Sequence, residues 1–247
     1  MIEVKNIDKQ YKNIKALDKL SFKIKENESV GIIGNNGSGK TTLINILCNL
    51  ISYDFGEIFL FNEKLNYKNH EYKSNTGFIL NDPYYLEELN VVDYLSFVAK
   101  FHSVHNKMDS IKNRIADLIR LLEIKEKEKP IADLSSGNKR KITIAASLIH
   151  NPDLLIYDEP FLNLDIKTLE IVKRLLLQLK GKKTILITSH HLDLVIDLCD
   201  RYLIIDEGVL IKDIDKNSYN SIEKLKEDVK NQIMKSNINS DKFNWLN

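Results

Sequence analysis

The 247 residues carry 36 Lys and Arg against 35 Asp and Glu, a net charge of +1, so no general attraction to nucleic acid is expected. Hydrophobic residues make up 43%, enough for a globular chain with a sizeable core. No apolar run approaches the ~18 residues that would cross a bilayer, no secretory leader is evident, and no Cys or His spacing suits a structural zinc. Cys48 and Cys199, each in an apolar helical pattern, read as buried thiols of a reducing compartment.

In chain order, Ile2–Lys5 is predicted to be a strand, and Leu20–Lys25 alternates apolar and polar residues as a half-exposed strand does. Tyr11 lies between them and has two readings, a stacking platform for a nucleotide base or a surface aromatic. Glu28–Gly34 reads as a short buried strand. Lys40–Leu50 reads as a helix, with Leu43, Ile44, Ile46 and Leu47 at helical spacing. The join is Gly34-Asn-Asn-Gly37-Ser-Gly39-Lys-Thr-Thr42, a G-x-x-x-x-G-K-[ST] loop between strand and helix. Its glycines allow a tight turn whose N–H groups can reach phosphate oxygens at the positive end of the helix. Lys40 suits the β- and γ-phosphates, and the Thr41 hydroxyl suits Mg²⁺. The candidate nucleotide contacts here are Asn36, Gly37, Ser38, Gly39, Lys40, Thr41 and Thr42, with ATP and Mg²⁺ as ligands.

Beyond this helix, Asp54–Phe61 is a turn and strand, and Gly77–Leu80 a short strand ending at Asn81. Val91–Phe101 and Ile111–Ile124 carry apolar residues at three- and four-residue spacing, which predicts a helical insert over 82–150. Apolar runs return at Asp153–Tyr157, Thr184–Thr188 and Tyr202–Asp206, separated by predicted helices at Ile166–Lys180 and Leu192–Cys199. That alternation predicts a parallel sheet covered on both faces. The α/β core therefore spans 1–81 and 151–212. A polar tail, 213–247, holds a charged helix with a weak stripe of Ile222, Leu225, Val229 and Ile233, expected to pack on its own domain, and a mobile last dozen residues.

Asp158-Glu159 closes one of these strands, the Walker B arrangement, in which Asp158 helps hold Mg²⁺ and Glu159 orients or deprotonates the attacking water. The stretch Leu134-Ser-Ser-Gly-Asn-Lys-Arg-Lys-Ile142 then resembles the LSGGQ signature of ATP-binding-cassette (ABC) ATPases. Over about residues 1–212 the remaining motifs fall in that family's order. Tyr11 resembles the adenine-stacking aromatic, Asn81 stands at the Q-loop glutamine, Leu164-Asp165 matches the end of the D-loop, and Ser189-His190 matches the H-loop.

The resemblance implies a P-loop, RecA-like α/β core with a mixed sheet, an N-terminal antiparallel β-subdomain and an inserted helical subdomain. It implies that Ser135 and Gly137 reach the γ-phosphate held by the P-loop of a second ATP-binding subunit, identical or different, in a head-to-tail pair. His190 would contact that phosphate and the attacking water, making Lys40, Glu159 and His190 the catalytic set and Thr41, Asp158 and Asn81 the metal set. It further implies a cytoplasmic ATPase, peripheral on the membrane through a separate permease, similar to exporters for drugs, antimicrobial peptides or ions; fewer residues follow Lys212 than an importer's regulatory domain needs. Two other readings stand beside it: a soluble ATPase that remodels a cytosolic assembly, and a subunit that closes on ATP with little hydrolysis. Four motifs or motif positions depart from the pattern. Asn81 replaces glutamine, Ser136 a glycine, Asn138 a glutamine, and Phe161-Leu-Asn163 a frequent Thr-x-Gly. The basic run Lys139-Arg-Lys141 reads as a solvated helical face.

Overall fold

The alternation of Ile2, Val4 and Ile7 continues past the predicted end at Lys5, so β1 runs Ile2–Tyr11 and a two-residue turn returns it as β2, Ile14–Ile24. The computed structural model describes residues 1–66, 68, 70–102 and 108–235. β3 (Ser29–Ile33) is buried at every position and leads through the glycine-rich loop into α1 (Lys40–Leu47). The helix stops short of the predicted Leu50, because Cys48 caps it and Asn49 takes a left-handed φ of 55°. β4 (Phe55–Leu60) and β5 (Glu63–Lys64) complete an antiparallel sheet of order β2-β1-β4-β5.

β6 (Thr76–Ile79) precedes the helical insert, which contains α2 (Val91–His102), α3 (Met108–Leu121) and α4 (Ser136–Leu148). The chain then alternates β7 (Leu154–Asp158), α5 (Ile166–Leu179), β8 (Thr184–Thr188), α6 (Leu192–Leu198) and β9 (Arg201–Asp206). β10 (Val209–Asp215) pairs antiparallel with β9. The second sheet has the order β10-β9-β3-β8-β7-β6, parallel apart from β10, so it is mixed as expected. β10 carries the sheet beyond the predicted boundary at Lys212. It escapes sequence reading because Ile214 alone of its residues is buried, and on an edge strand the alternation is mostly polar.

Strands of the second sheet divide their side chains between two cores. Leu154, Ile156, Leu186 and Leu203 join β1, β2 and α1 in the space between the sheets. Leu155, Tyr157, Ile187 and Ile204 face the opposite core, with α4, α5, α6 and the helical insert. This two-faced burial is why the strands read as continuous apolar runs.

α7 (Ile222–Lys235) packs on its own domain, as its stripe suggested. Leu225 and Val229 are buried, Ile222 remains exposed, and Ile233 lies outside the described side chains. Lys226 pairs with Asp193 of α6 at 2.6 Å, and Asp228 with Lys212 of β10 at 2.7 Å. The last dozen residues lie outside the described part. Cys48 and Cys199 are both buried free thiols, and burial pushes the Cys199 thiol up to about 12. Among the described residues no helix is long and apolar enough to cross a membrane.

Candidate active site

The strand-to-helix loop is shaped by contacts that exclude side chains. A Cβ on Gly34 would lie 2.1 Å from the Ile205 carbonyl, and one on Gly39, at φ 104°, 2.5 Å from that of Ala16. Gly37 also needs φ 82°. Lys40 follows at the first turn of α1, 7% exposed, with its ammonium donating to the carbonyls of Gly34 (2.7 Å) and Asn35 (2.8 Å). Of three donors, two hold the loop closed and one is left for a ligand. Burial lowers the Lys40 pKa, and the nearby charges of Glu159 and Asp158 oppose that shift.

Sheet register builds the acidic side. Asp158 at the end of β7 lies beside Thr188 at the end of β8. The Thr188 hydroxyl donates to Asp158 Oδ1, whereas Asp158 Oδ2 is buried and has no hydrogen-bond partner among the described residues. The next residue, Glu159, takes a left-handed φ of 48°. Its N–H donates to both the carbonyl and the hydroxyl of Thr188, each at 3.1 Å. Its carboxylate oxygen Oε2 accepts from Ser189 Oγ at 3.1 Å and meets His190 Nδ1 at 2.9 Å. The strand ends thus aim two carboxylates and a histidine at the mouth of the phosphate loop.

They converge on a cavity of 460 Å³ lined by Asn36, Gly37, Gly39, Lys40, Thr41, Thr42, Asn81, Asp158, Glu159 and His190. Ten of the residues singled out from sequence therefore meet in one place. Ser38 is buried behind the loop, where its carbonyl accepts from the Gly208 N–H at 3.0 Å. Tyr11 does not line the cavity. It lies partly exposed under the Lys9 ammonium, and Ile14, Lys15 and Ala16, just past the hairpin turn, occupy the rim instead.

Ser135 and Gly137 lie elsewhere on this chain. Ser135 caps α4, accepting from the Asn138 N–H at 3.3 Å, and a Cβ on Gly137 would come 3.0 Å from the Asn163 carbonyl. The basic run beside them departs from expectation. Lys139 and Lys141 are half-buried, but Arg140 is 5% exposed and points inward, donating to the carbonyls of Leu80 (2.8 Å), Asp158 (3.4 Å) and Glu159 (2.5 Å). It faces the sheet because α4 is buried along this side; Ile142 and Thr143, which follow, are buried as well. Thr188, Ser189 and Arg140 were not predicted as site residues. Thr188 and Ser189 adjoin the H-loop histidine, which could have marked them; Arg140 had no such signal among three consecutive cations.

A glycine-rich loop after β3, its lysine, and carboxylates at the end of β7, a parallel strand of the same sheet separated from β3 by β8, define a P-loop nucleoside triphosphatase. The model of the ABC transporter family matches residues 17–162. The chain is 33% identical to a methionine import ATP-binding protein of Clostridium acetobutylicum, over 85% of this chain and 67% of that one. It is 32% identical to the linearmycin resistance ATP-binding protein of Bacillus subtilis, over 85% and 68%. A solved dimeric ATP-binding cassette, in a post-hydrolysis state bound to ADP and Pi, superposes with a TM-score of 0.81 at 25% identity, over 87% of this chain and 99% of that one. The chain belongs to the ABC transporter family and is an ABC ATPase cassette, the ATP-binding subunit of a transporter.

Proposed function

We propose that this cassette hydrolyses ATP, in a head-to-tail pair of ATP-binding subunits, to drive export of a substrate through a separate transmembrane permease. The observation that carries the reading is the convergence of Lys40, Asp158, Glu159 and His190 on one cavity beside the glycine-rich loop. Lys40 would neutralise the β- and γ-phosphates. Glu159 would accept a proton from the attacking water as its oxygen bonds to the γ-phosphorus and the bond to the ADP oxygen breaks. His190, whose Nδ1 lies 2.9 Å from Glu159 Oε2, would orient that carboxylate and contact the γ-phosphate.

The buried, unpartnered Asp158 Oδ2 fits a divalent cation, since an ionised oxygen without a donor is costly in a protein interior. Asp158, the Thr41 hydroxyl and Asn81 would hold Mg²⁺, which supplies charge neutralisation of the phosphates. Ser135 and Gly137, outside this cavity on the exposed start of α4, are available to a nucleotide held by a second subunit. Export is supported by the linearmycin resistance relative and by the signature region's resemblance to exporter subunits.

The test is the mass of the Glu159→Gln protein by light scattering with and without ATP. A monomer that doubles in mass only with ATP, and turns over ~10²–10⁴-fold more slowly than the unsubstituted protein, is the expected result. Hydrolysis at the unsubstituted rate would remove Glu159 from the base role.

A further inference from the structure

Arg140 is among the most buried cations of the described chain, at 5% exposed, and it makes no ion pair among the described residues. Its guanidinium donates to backbone carbonyls from two different segments. One is Leu80, whose next residue is Asn81; the others are Asp158 and Glu159. A buried cation with no carboxylate partner contributes little net stability. What its planar fork supplies is geometry, since several N–H groups in fixed directions determine where each carbonyl must lie.

The geometry matters most at Glu159. That residue is left-handed, which an L side chain avoids, and its peptide is held from both sides: Thr188 accepts from its N–H, and Arg140 donates to its carbonyl. Arg140 sits on the second turn of α4, whose N-cap is Ser135 and whose first turn carries Gly137. A shift of α4 along its axis would therefore pull on the Glu159 carbonyl and on the backbone before Asn81 together.

We propose that Arg140 is a positioning residue that ties the seat of α4 to the hydrolytic turn, setting the aim of Glu159 according to how the start of α4 is engaged. The inference rests on the reading of Glu159 as the base. Water attack requires that carboxylate in place, whereas nucleotide binding rests on the loop around Lys40, so the two properties separate.

Arg140→Gln, Arg140→Lys, Glu159→Gln and the double variant Arg140→Gln/Glu159→Gln are compared as full chains. MgATP affinity and stoichiometry come from calorimetry, and turnover per bound nucleotide from single-turnover assays. Arg140→Gln is expected to bind MgATP within about twofold of the unsubstituted protein while turnover per bound nucleotide falls about tenfold or more. Lys, one flexible donor group in place of a fork, recovers part of that loss, and the double variant is no slower than Glu159→Gln alone. If Glu159→Gln is inactive but Arg140→Gln turns over at the unsubstituted rate per bound nucleotide, the positioning role is overturned and the base stands. A loss confined to binding stoichiometry overturns it too, as a mere folding effect. If Glu159→Gln itself hydrolyses ATP normally, it is the base assignment that fails.

Discussion

Thr188→Val isolates the interaction on which the acidic side of the site depends. Thr188 is fully buried, and its hydroxyl donates to Asp158 Oδ1 while accepting from the Glu159 N–H at 3.1 Å. Valine keeps the shape and the β-branched preference for a strand, so packing is unchanged. The Glu159 N–H keeps its second acceptor, the Thr188 carbonyl at 3.1 Å, and loses little. Asp158 loses the one donor its carboxylate has in the described contacts, and with Oδ2 already unpartnered the buried charge has no hydrogen bond left. Hydrogen bonds to charged groups contribute about 1.5–3 kcal/mol, so a destabilisation near 2 kcal/mol is expected. For a domain of this size that lowers the melting temperature by roughly 4–8 °C. Urea unfolding should show a lower midpoint at unchanged slope. Thr188→Ser, which keeps the hydroxyl and gives up one methyl, should lose only about 0.8 kcal/mol. A valine variant within about 0.5 kcal/mol of the unsubstituted protein, or a serine variant less stable than the valine one, would refute the account.

Gly39→Ala, at φ 104° and 2.5 Å from the Ala16 carbonyl, should abolish measurable nucleotide binding and cost at least about 1–2 kcal/mol, read by calorimetry and thermal unfolding. Ser147→Ala strips the fully buried Tyr157 hydroxyl of its 2.8 Å partner and should cost about 1–3 kcal/mol in urea unfolding; Tyr157→Phe leaves Ser147 bonded to the Ile144 carbonyl at 2.8 Å and should cost less. Burial, and then the stacked ring of His102, hold the His150 imidazole down at about 4. In the unfolded chain it titrates near 6.5, so the unfolded state takes up the proton first: stability is flat above about pH 6.5 and falls from there toward pH 4. His150→Gln should flatten that slope in acid unfolding curves, and an unchanged slope would show that His150 is not its source.

The strands of the parallel sheet were legible because burial on two faces leaves no polar interruption in Leu154–Tyr157 or Thr184–Thr188. The phosphate loop was legible because its chemistry permits only one spelling. What stayed hidden depends on neighbours that sequence order does not supply. β10 pairs at an edge and leaves most of its side chains in solvent. The rim contributed by Ile14, Lys15 and Ala16 depends on where the β1–β2 hairpin turns, between the strands predicted at Ile2–Lys5 and Leu20–Lys25, where the pattern assigns no element. Arg140 was hidden for the opposite reason. Lys139, Arg140 and Lys141 look alike along the chain, and the helical rotation of ~100° per residue decides which one meets the sheet.

The two buried sulfurs have a practical consequence. A thiol reacts as its anion, and burial both shields Cys48 and Cys199 and holds them protonated at neutral pH. The sequence has no other cysteine. A maleimide dye or spin label should therefore pass over the native chain, and a cysteine introduced at exposed Ser135 or at Tyr84 would be the one site it marks. Conformational reporters can be installed in the natural sequence without first removing its own sulfur.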